Sequence, residues 1–303
     1  MQIIKPVTVT DAILSNSNVP EDDHAEWAIG TTYASGDKVI SISTHSIYES
    51  LVDGNIGNDP DNDDGTNWLR LGATNRWKAF DQKIADQVTR QNGIEYAFNN
   101  YNSNVTSVAL FNLEGISARV TVTDPVTPFT TYYDNTISLV DNRNIVDWFS
   151  YFFEEQVQKE TAQFIDIPPY RNATVTVEVV AAAGVDAKLG QIVFGYLSDI
   201  GATTYGTSIS IEDFSRKEVD AFGNFVVVQR AFSQLADFDV QFETGNARRI
   251  QRTLADLRAT PVVYIGSPDT SYGTTIYGFY RRFDLTLESP SLSFGAIEVE
   301  GLT

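Results

Sequence analysis

Short runs in which apolar and polar residues alternate, each stopped by Gly, Pro, Asn or Asp, recur along this chain and restrict it to a β architecture. Ala118, Val120 and Val122 alternate with Arg119, Thr121 and Thr123, and the run ends at Asp124-Pro125. Residues 173–180 interleave Val with Thr and Glu in the same way. A period of two places alternate side chains on opposite faces of a strand, so each run predicts a half-buried strand. Further strands are expected at 3–10, 136–140, 191–197, 225–230, 238–242, 262–266, 276–287 and 293–300. Residues 76–87 predict a brief helix or connector, and the Asn-rich stretch 92–104 predicts irregular structure. So many short strands between turn residues point to a mainly β protein, a large antiparallel β-sandwich.

One segment breaks the pattern. In residues 247–258, Ile250, Leu254 and Leu257 fall on one helical face, Asn246 stands at the N-cap position and Thr260-Pro261 ends the run. The opposite face carries Arg248, Arg249, Arg252 and Arg258. The chain holds 21 Lys and Arg against 40 Asp and Glu, a net charge of −19, so this face is a local reversal. It has two readings: a solvated face paired with nearby carboxylates, or a contact surface for an acidic neighbouring subunit. The overall charge repels phosphate backbones, so nucleic acid is not an expected partner. No apolar run approaches the roughly 20 residues that span a bilayer, so membrane insertion is not expected either. The start of the chain has no basic region followed by an apolar one, and a secretory leader is not expected. The absence of cysteine removes disulfides, thiol catalysis and cysteinyl zinc together.

Residues 27–77 form the most distinctive stretch. Strand-like runs at 31–33, 38–42, 47–51 and 68–71 predict a small β-module, which divides the chain into residues 1–80 and a sandwich over 81–303. So small a module has little core without its rings. Trp27, Tyr33, Tyr48 and Trp68 therefore serve either as that core or as a platform on which sugar rings stack. In the second case Asp37, in the Gly36-Asp37 turn, and neighbouring polar groups would bind the hydroxyls. Asp59, Asp61 and Asp63 have the alternate spacing of a calcium loop's first ligands. The glycine required next is replaced by Asp64 and the closing acid by Arg70, so the loop is a calcium candidate with two diagnostic positions missing. His24 and His45 lie in no metal-ligand spacing, and neither a nucleophile elbow nor a phosphate-binding glycine loop is present. No cofactor is expected, and no catalytic residue is assigned.

Trp27, Gly30, Tyr33, Gly36-Asp37, Val39, Tyr48, Pro60 and Trp68 stand in an order that resembles small carbohydrate-binding modules of the chitin-binding type. Residues 4–6 (IKP), 31–39 (TTYASGDKV), 48–60 (YESLVDGNIGNDP) and 71–81 (LGATNRWKAFD) look like the N-terminal part of bacteriophage and prophage tail proteins. The second half is similar too, in 210–218 (SIEDFSRKE), 222–233 (FGNFVVVQRAFS), 253–267 (TLADLRATPVVYIGS), 277–287 (YGFYRRFDLTL) and 297–303 (IEVEGLT). The resemblance implies a non-enzymatic structural protein of the tail tip or baseplate, made in the host cytoplasm and resident in the virion. It implies a homo-oligomer, a trimer or hexamer, with other tail proteins as neighbours and a host-surface glycan as a further partner. The alternatives are a glycan-binding adsorption protein and, third, a polysaccharide-degrading tail enzyme.

Overall fold

Where a strand is buried on both faces its alternation disappears, and two such strands hold this fold together. Ser107–Glu114 (SVALFNLE) sends Val108 and Leu110 to one side and Ala109 and Phe111 to the other, each side into a separate apolar cluster. The long strand Asp186–Asp199 does the same with Ile192 and Phe194 against Val193. These observations come from a computed structural model that describes residues 1–99, 101, 103–126, 130–141, 145–153, 157–219 and 222–302.

The protein is mainly β, with two large antiparallel sheets. An eleven-stranded sheet follows the order Thr161–Phe164, Ser107–Glu114, Asp186–Asp199, Gln2–Pro6, Val262–Ile265, Thr275–Thr286, Leu292–Gly301, Phe232–Glu243 and Ala202–Thr203. Val88–Gln91 also pairs with the long strand, and Ser208–Asp213 with Phe232–Glu243. A five-stranded sheet, Thr131–Ser138, Ser117–Thr123, Thr174–Val180, Gly93–Phe98 and Leu14–Ser17, packs on one half of the large sheet. Its alternating residues Val120, Val122, Val175 and Val177 meet Val108, Leu110 and Phe194 there, which makes this half a β-sandwich. The helix Ala247–Asp256 serves the other half. Ile250 and Leu254 are buried against Phe238, Tyr264, Ile297 and Val299.

The first strand runs through the middle of the large sheet, although the sequence groups it with the module. Ile4 pairs with Leu197 on one side and Val263 on the other, so Gln2–Pro6 joins the two halves. The approach is close at Gly195, where a Cβ would overlap the Lys5 carbonyl. Other sequence expectations change as well. The stretch 92–104 contains the strand Gly93–Phe98, because the positive φ of Asn92 (69°) and Gly93 (144°) lets the chain leave one sheet and enter the other. Asn246 makes no side-chain cap. The 3-10 turn Thr244–Asn246 already gives it helical backbone angles, and its amide faces Glu243 instead.

The small module is the three-stranded sheet Lys38–Ser41, Ser46–Ser50 and Trp68–Ala73. Of the expected strand at 31–33, only a bridge from Tyr33 to Asn55 forms. Aromatic packing ties the module to the sandwich. His45 stacks on Trp77 at 3.8 Å, Trp77 meets Phe80 edge-on at 5.6 Å, and Phe80 meets Tyr96 at 5.4 Å and Phe98 at 5.9 Å.

Candidate functional site

The four rings proposed as a sugar platform do come together, but around the module's own core. Tyr33 and Tyr48 are 8% exposed and Trp68 is 2% exposed, packed with Val39. Trp68 meets Tyr33 edge-to-face at 5.2 Å, and its indole N–H donates to the Asn58 carbonyl at 2.9 Å. The Tyr33 hydroxyl is turned inward to accept the Ala28 N–H at 2.9 Å. Trp27 lies half-buried against this cluster. A sugar face has no route to Tyr33, Tyr48 or Trp68, because stacking needs an open ring surface and the module spends these three on its core. Asp37 has a structural role as well. Its carboxylate accepts the Ala34 N–H at 2.7 Å across a turn in which Gly36 has φ +91°.

The three aspartates of the calcium candidate point at protein donors rather than at a common centre. Asp59 caps the 3-10 turn Pro60–Asn62. Asp61 accepts the Ser41 hydroxyl at 2.6 Å, the Thr44 hydroxyl at 2.8 Å and the Ser43 hydroxyl. Burial pushes the Asp61 carboxyl up, but these hydroxyls and that of Tyr48 outweigh it and hold the group below its ordinary value of 3.8. Asp63 accepts the N–H groups of Gly65, Asn67 and Trp68 at 2.9, 3.0 and 3.0 Å and the Asn67 side chain at 2.7 Å. Here too burial raises the carboxyl and the donors more than offset it. Asp59 and Asp63 are taken up by donors of the loop itself and Asp61 by hydroxyls of residues 41–44, which is why the calcium spacing stops short of a calcium site. Among the described residues no group of three His, Cys, Asp or Glu is placed to hold a metal ion.

The arginine helix buries its apolar face as its periodicity predicts but ends at Asp256, so Arg248, Arg249 and Arg252 are exposed on the helix and Arg258 is exposed two residues past its end. Arg249 donates both terminal nitrogens to the Asp199 carbonyl, each at 3.2 Å. Arg248, Arg252 and Arg258 make no ion pair among the described residues, and Asp256 is the one carboxylate on the helix. The expected pairing with neighbouring carboxylates is therefore absent for these three.

Two surfaces escape a reading of the sequence by period. Among the described residues, Arg216–Val219 and Phe225–Val228 pair only with each other and form a ribbon whose eight residues are all exposed. Val219, Phe225 and Val227 share one face, Val226 and Val228 the other, and Phe225 is 76% exposed. The second surface is the short helix Trp148–Phe153 (WFSYFF). Trp148 stacks over Phe152 at 6.1 Å and is itself 79% exposed, while Ser150 alone is buried, bonded to Asp147. The signal for both was present as apolar runs, FVVV and WFSYFF, but burial was the natural expectation for them. No family model matches the chain, and neither a curated protein nor a solved structure matches it.

Proposed function

We propose that the chain is a non-enzymatic structural protein that assembles with its own copies into a symmetric ring of a bacteriophage tail tip or baseplate. The observation that carries this reading is the ribbon Arg216–Val219 and Phe225–Val228, bare on both faces. A lone two-stranded ribbon is marginal in water, and contiguous exposed apolar surface marks a place where another macromolecule packs. The exposed helix Trp148–Phe153 adds a second such surface. The virion setting rests on the resemblance carried by residues 31–39, 48–60, 71–81, 210–218 and 222–233. Burial of the module's rings favours this reading over the adsorption protein, whose sugar-stacking face they would have to form.

The test is the mass of the purified chain in solution beside that of the double variant Phe225→Asp with Val227→Asp. Both residues are exposed on one ribbon face, so the fold should survive. Wild type should sediment as a discrete oligomer and the variant as a monomer. A wild-type chain that stays monomeric at tens of micromolar contradicts the proposal.

A further inference from the structure

We infer that the arginine face of the helix Ala247–Asp256 docks on the acidic N-terminal module of the next copy, so that subunits join head to tail. This rests on the assembly reading above and names the partner surface within it.

Three observations carry the inference. First, Arg248, Arg252 and Arg258 are exposed and unpaired among the described residues of a chain with 40 carboxylates. Arg249 is held by a backbone carbonyl, which orients its guanidinium without neutralising it. Second, the negative charge is concentrated elsewhere. Residues 11–66 contain twelve Asp and Glu and a single basic residue, Lys38, a net −11 of the chain's −19. Asp22, Glu26 and Asp64 are exposed there, and the side chains of Asp22 and Glu26 have no partner among the described residues.

Third, the two patches belong to opposite ends of one strand. Asn75, at the edge of the module, exchanges hydrogen bonds with Thr89 at 2.9 and 3.0 Å, and Thr89 pairs with Lys188 near the start of Asp186–Asp199. Arg249 binds the carbonyl of Asp199, the last residue of the same strand. At about 3.3 Å per residue these ends are roughly 40 Å apart, several times the ~8 Å screening length at physiological salt. One copy cannot neutralise its own arginine face with its own module. A second copy can, and when that copy passes its own arginine face on to a third instead of returning it to the first, the contact is heterologous and propagates into a ring or filament. The charges steer the encounter and fix its direction.

A charge-swap pair tests this on the full chain. One variant carries Arg248→Glu, Arg252→Glu and Arg258→Glu. The other carries Asp22→Lys, Glu26→Lys and Asp64→Lys. All six positions are exposed, and circular dichroism of each variant verifies the fold. Each variant alone should associate on the order of 10- to 1,000-fold more slowly than wild type, and the wild-type rate should fall steeply with added salt. An equimolar mixture should recover assembly, because at the substituted positions the glutamates of one variant then meet the lysines of the other, and the other's arginines meet the unaltered acids of the first. Either variant assembling like wild type, or a mixture that fails to recover, overturns the inference, while loss of assembly in the ribbon variant leaves the broader reading standing. A monomeric wild type that binds a DNA duplex through these arginines overturns it in favour of a polyanion.

Discussion

Replacing Trp68 by Ala distinguishes a core ring from a binding platform, and its cost can be worked from the packing. A buried aromatic removes ~150–250 Å² from water, worth roughly 4–6 kcal/mol at ~25 cal/mol per Å². A compact unfolded state reduces that by up to about 40%. The indole bond to the Asn58 carbonyl adds about 1 kcal/mol, and the edge contact with Tyr33 adds about 0.5–1.5 kcal/mol. The expected loss is therefore about 4 kcal/mol, within the usual range of ~3–5 for such truncations. Trp68→Phe keeps the ring contact but orphans the carbonyl, for a loss of about 1–2 kcal/mol. Hydrogen exchange read by mass spectrometry is the assay, since the damage should be local. Peptides covering Lys38–Ser41, Ser46–Ser50 and Trp68–Ala73 should lose on the order of a thousandfold protection in the Ala variant, at about 1.4 kcal/mol per tenfold. Peptides from Thr174–Val180 should keep theirs. Unchanged protection in the module, coupled with lost retention on a polysaccharide resin, would refute the burial argument and restore the sugar platform.

The acidic loop should give the module its own acid limb. Asp61 and Asp63 are held below the ordinary value of 3.8 in the folded chain. Their contribution is complete above that value and is lost as pH falls through the lower folded one. Far-ultraviolet and fluorescence titrations from about pH 5 to about pH 2 should show the module opening on that limb, and Asp61→Asn should flatten it; an unaltered limb would rule Asp61 out. Gly195→Ala should push the first strand away from the long one, because the new Cβ overlaps the Lys5 carbonyl and sits 3.2 Å from Pro6 Cα. We expect a loss of about 2–3 kcal/mol, read as a lower urea midpoint at constant slope. A midpoint equal to wild type would mean that the strand joint is more compliant than its spacing indicates.

The half-buried strands were legible because one face of each is apolar and the other polar, as in Ser117–Thr123 and Thr174–Val180. The helix was legible because Ile250, Leu254 and Leu257 recur at helical spacing. What alternation hides is sheet membership. Val88–Gln91 and Gly93–Phe98 are separated by one residue yet lie in different sheets. The Asn92-Gly93 dipeptide announces a turn without saying that the chain changes layer there. The Asn-rich flanks masked the strand for a related reason: these residues end strands and bridge them, as Asn92 does when its side chain accepts the Gly184 N–H at 2.7 Å. At the module, the sequence identified the right rings and left their use open, since the same Trp and Tyr side chains serve a core or a platform. The decision came from the neighbours. Asn58 and Ala28 supply hydrogen-bond partners that turn Trp68 and Tyr33 inward.

The proposed head-to-tail contact would place an assembly requirement on the rest of the fold. A head-to-tail contact transmits the relative position of two patches at opposite ends of Asp186–Asp199, so any bend along that strand becomes an error in subunit angle, and a ring closes only if the angle repeats. The long strand is braced along its whole length. Gln2–Pro6 pairs along its final residues, Ser107–Glu114 along its middle and Val88–Gln91 along its start. Its inward side chains are locked in two apolar clusters, one on each face. Interiors packed in this way resist small deformations. Among the described residues, the ribbon and the aromatic helix Trp148–Phe153 lie outside both large sheets and carry exposed apolar residues. A rigid frame with uncovered apolar edges and separated charges is what directional self-assembly needs. A sugar platform, by contrast, would need open rings on the module, where Tyr33, Tyr48 and Trp68 are closed.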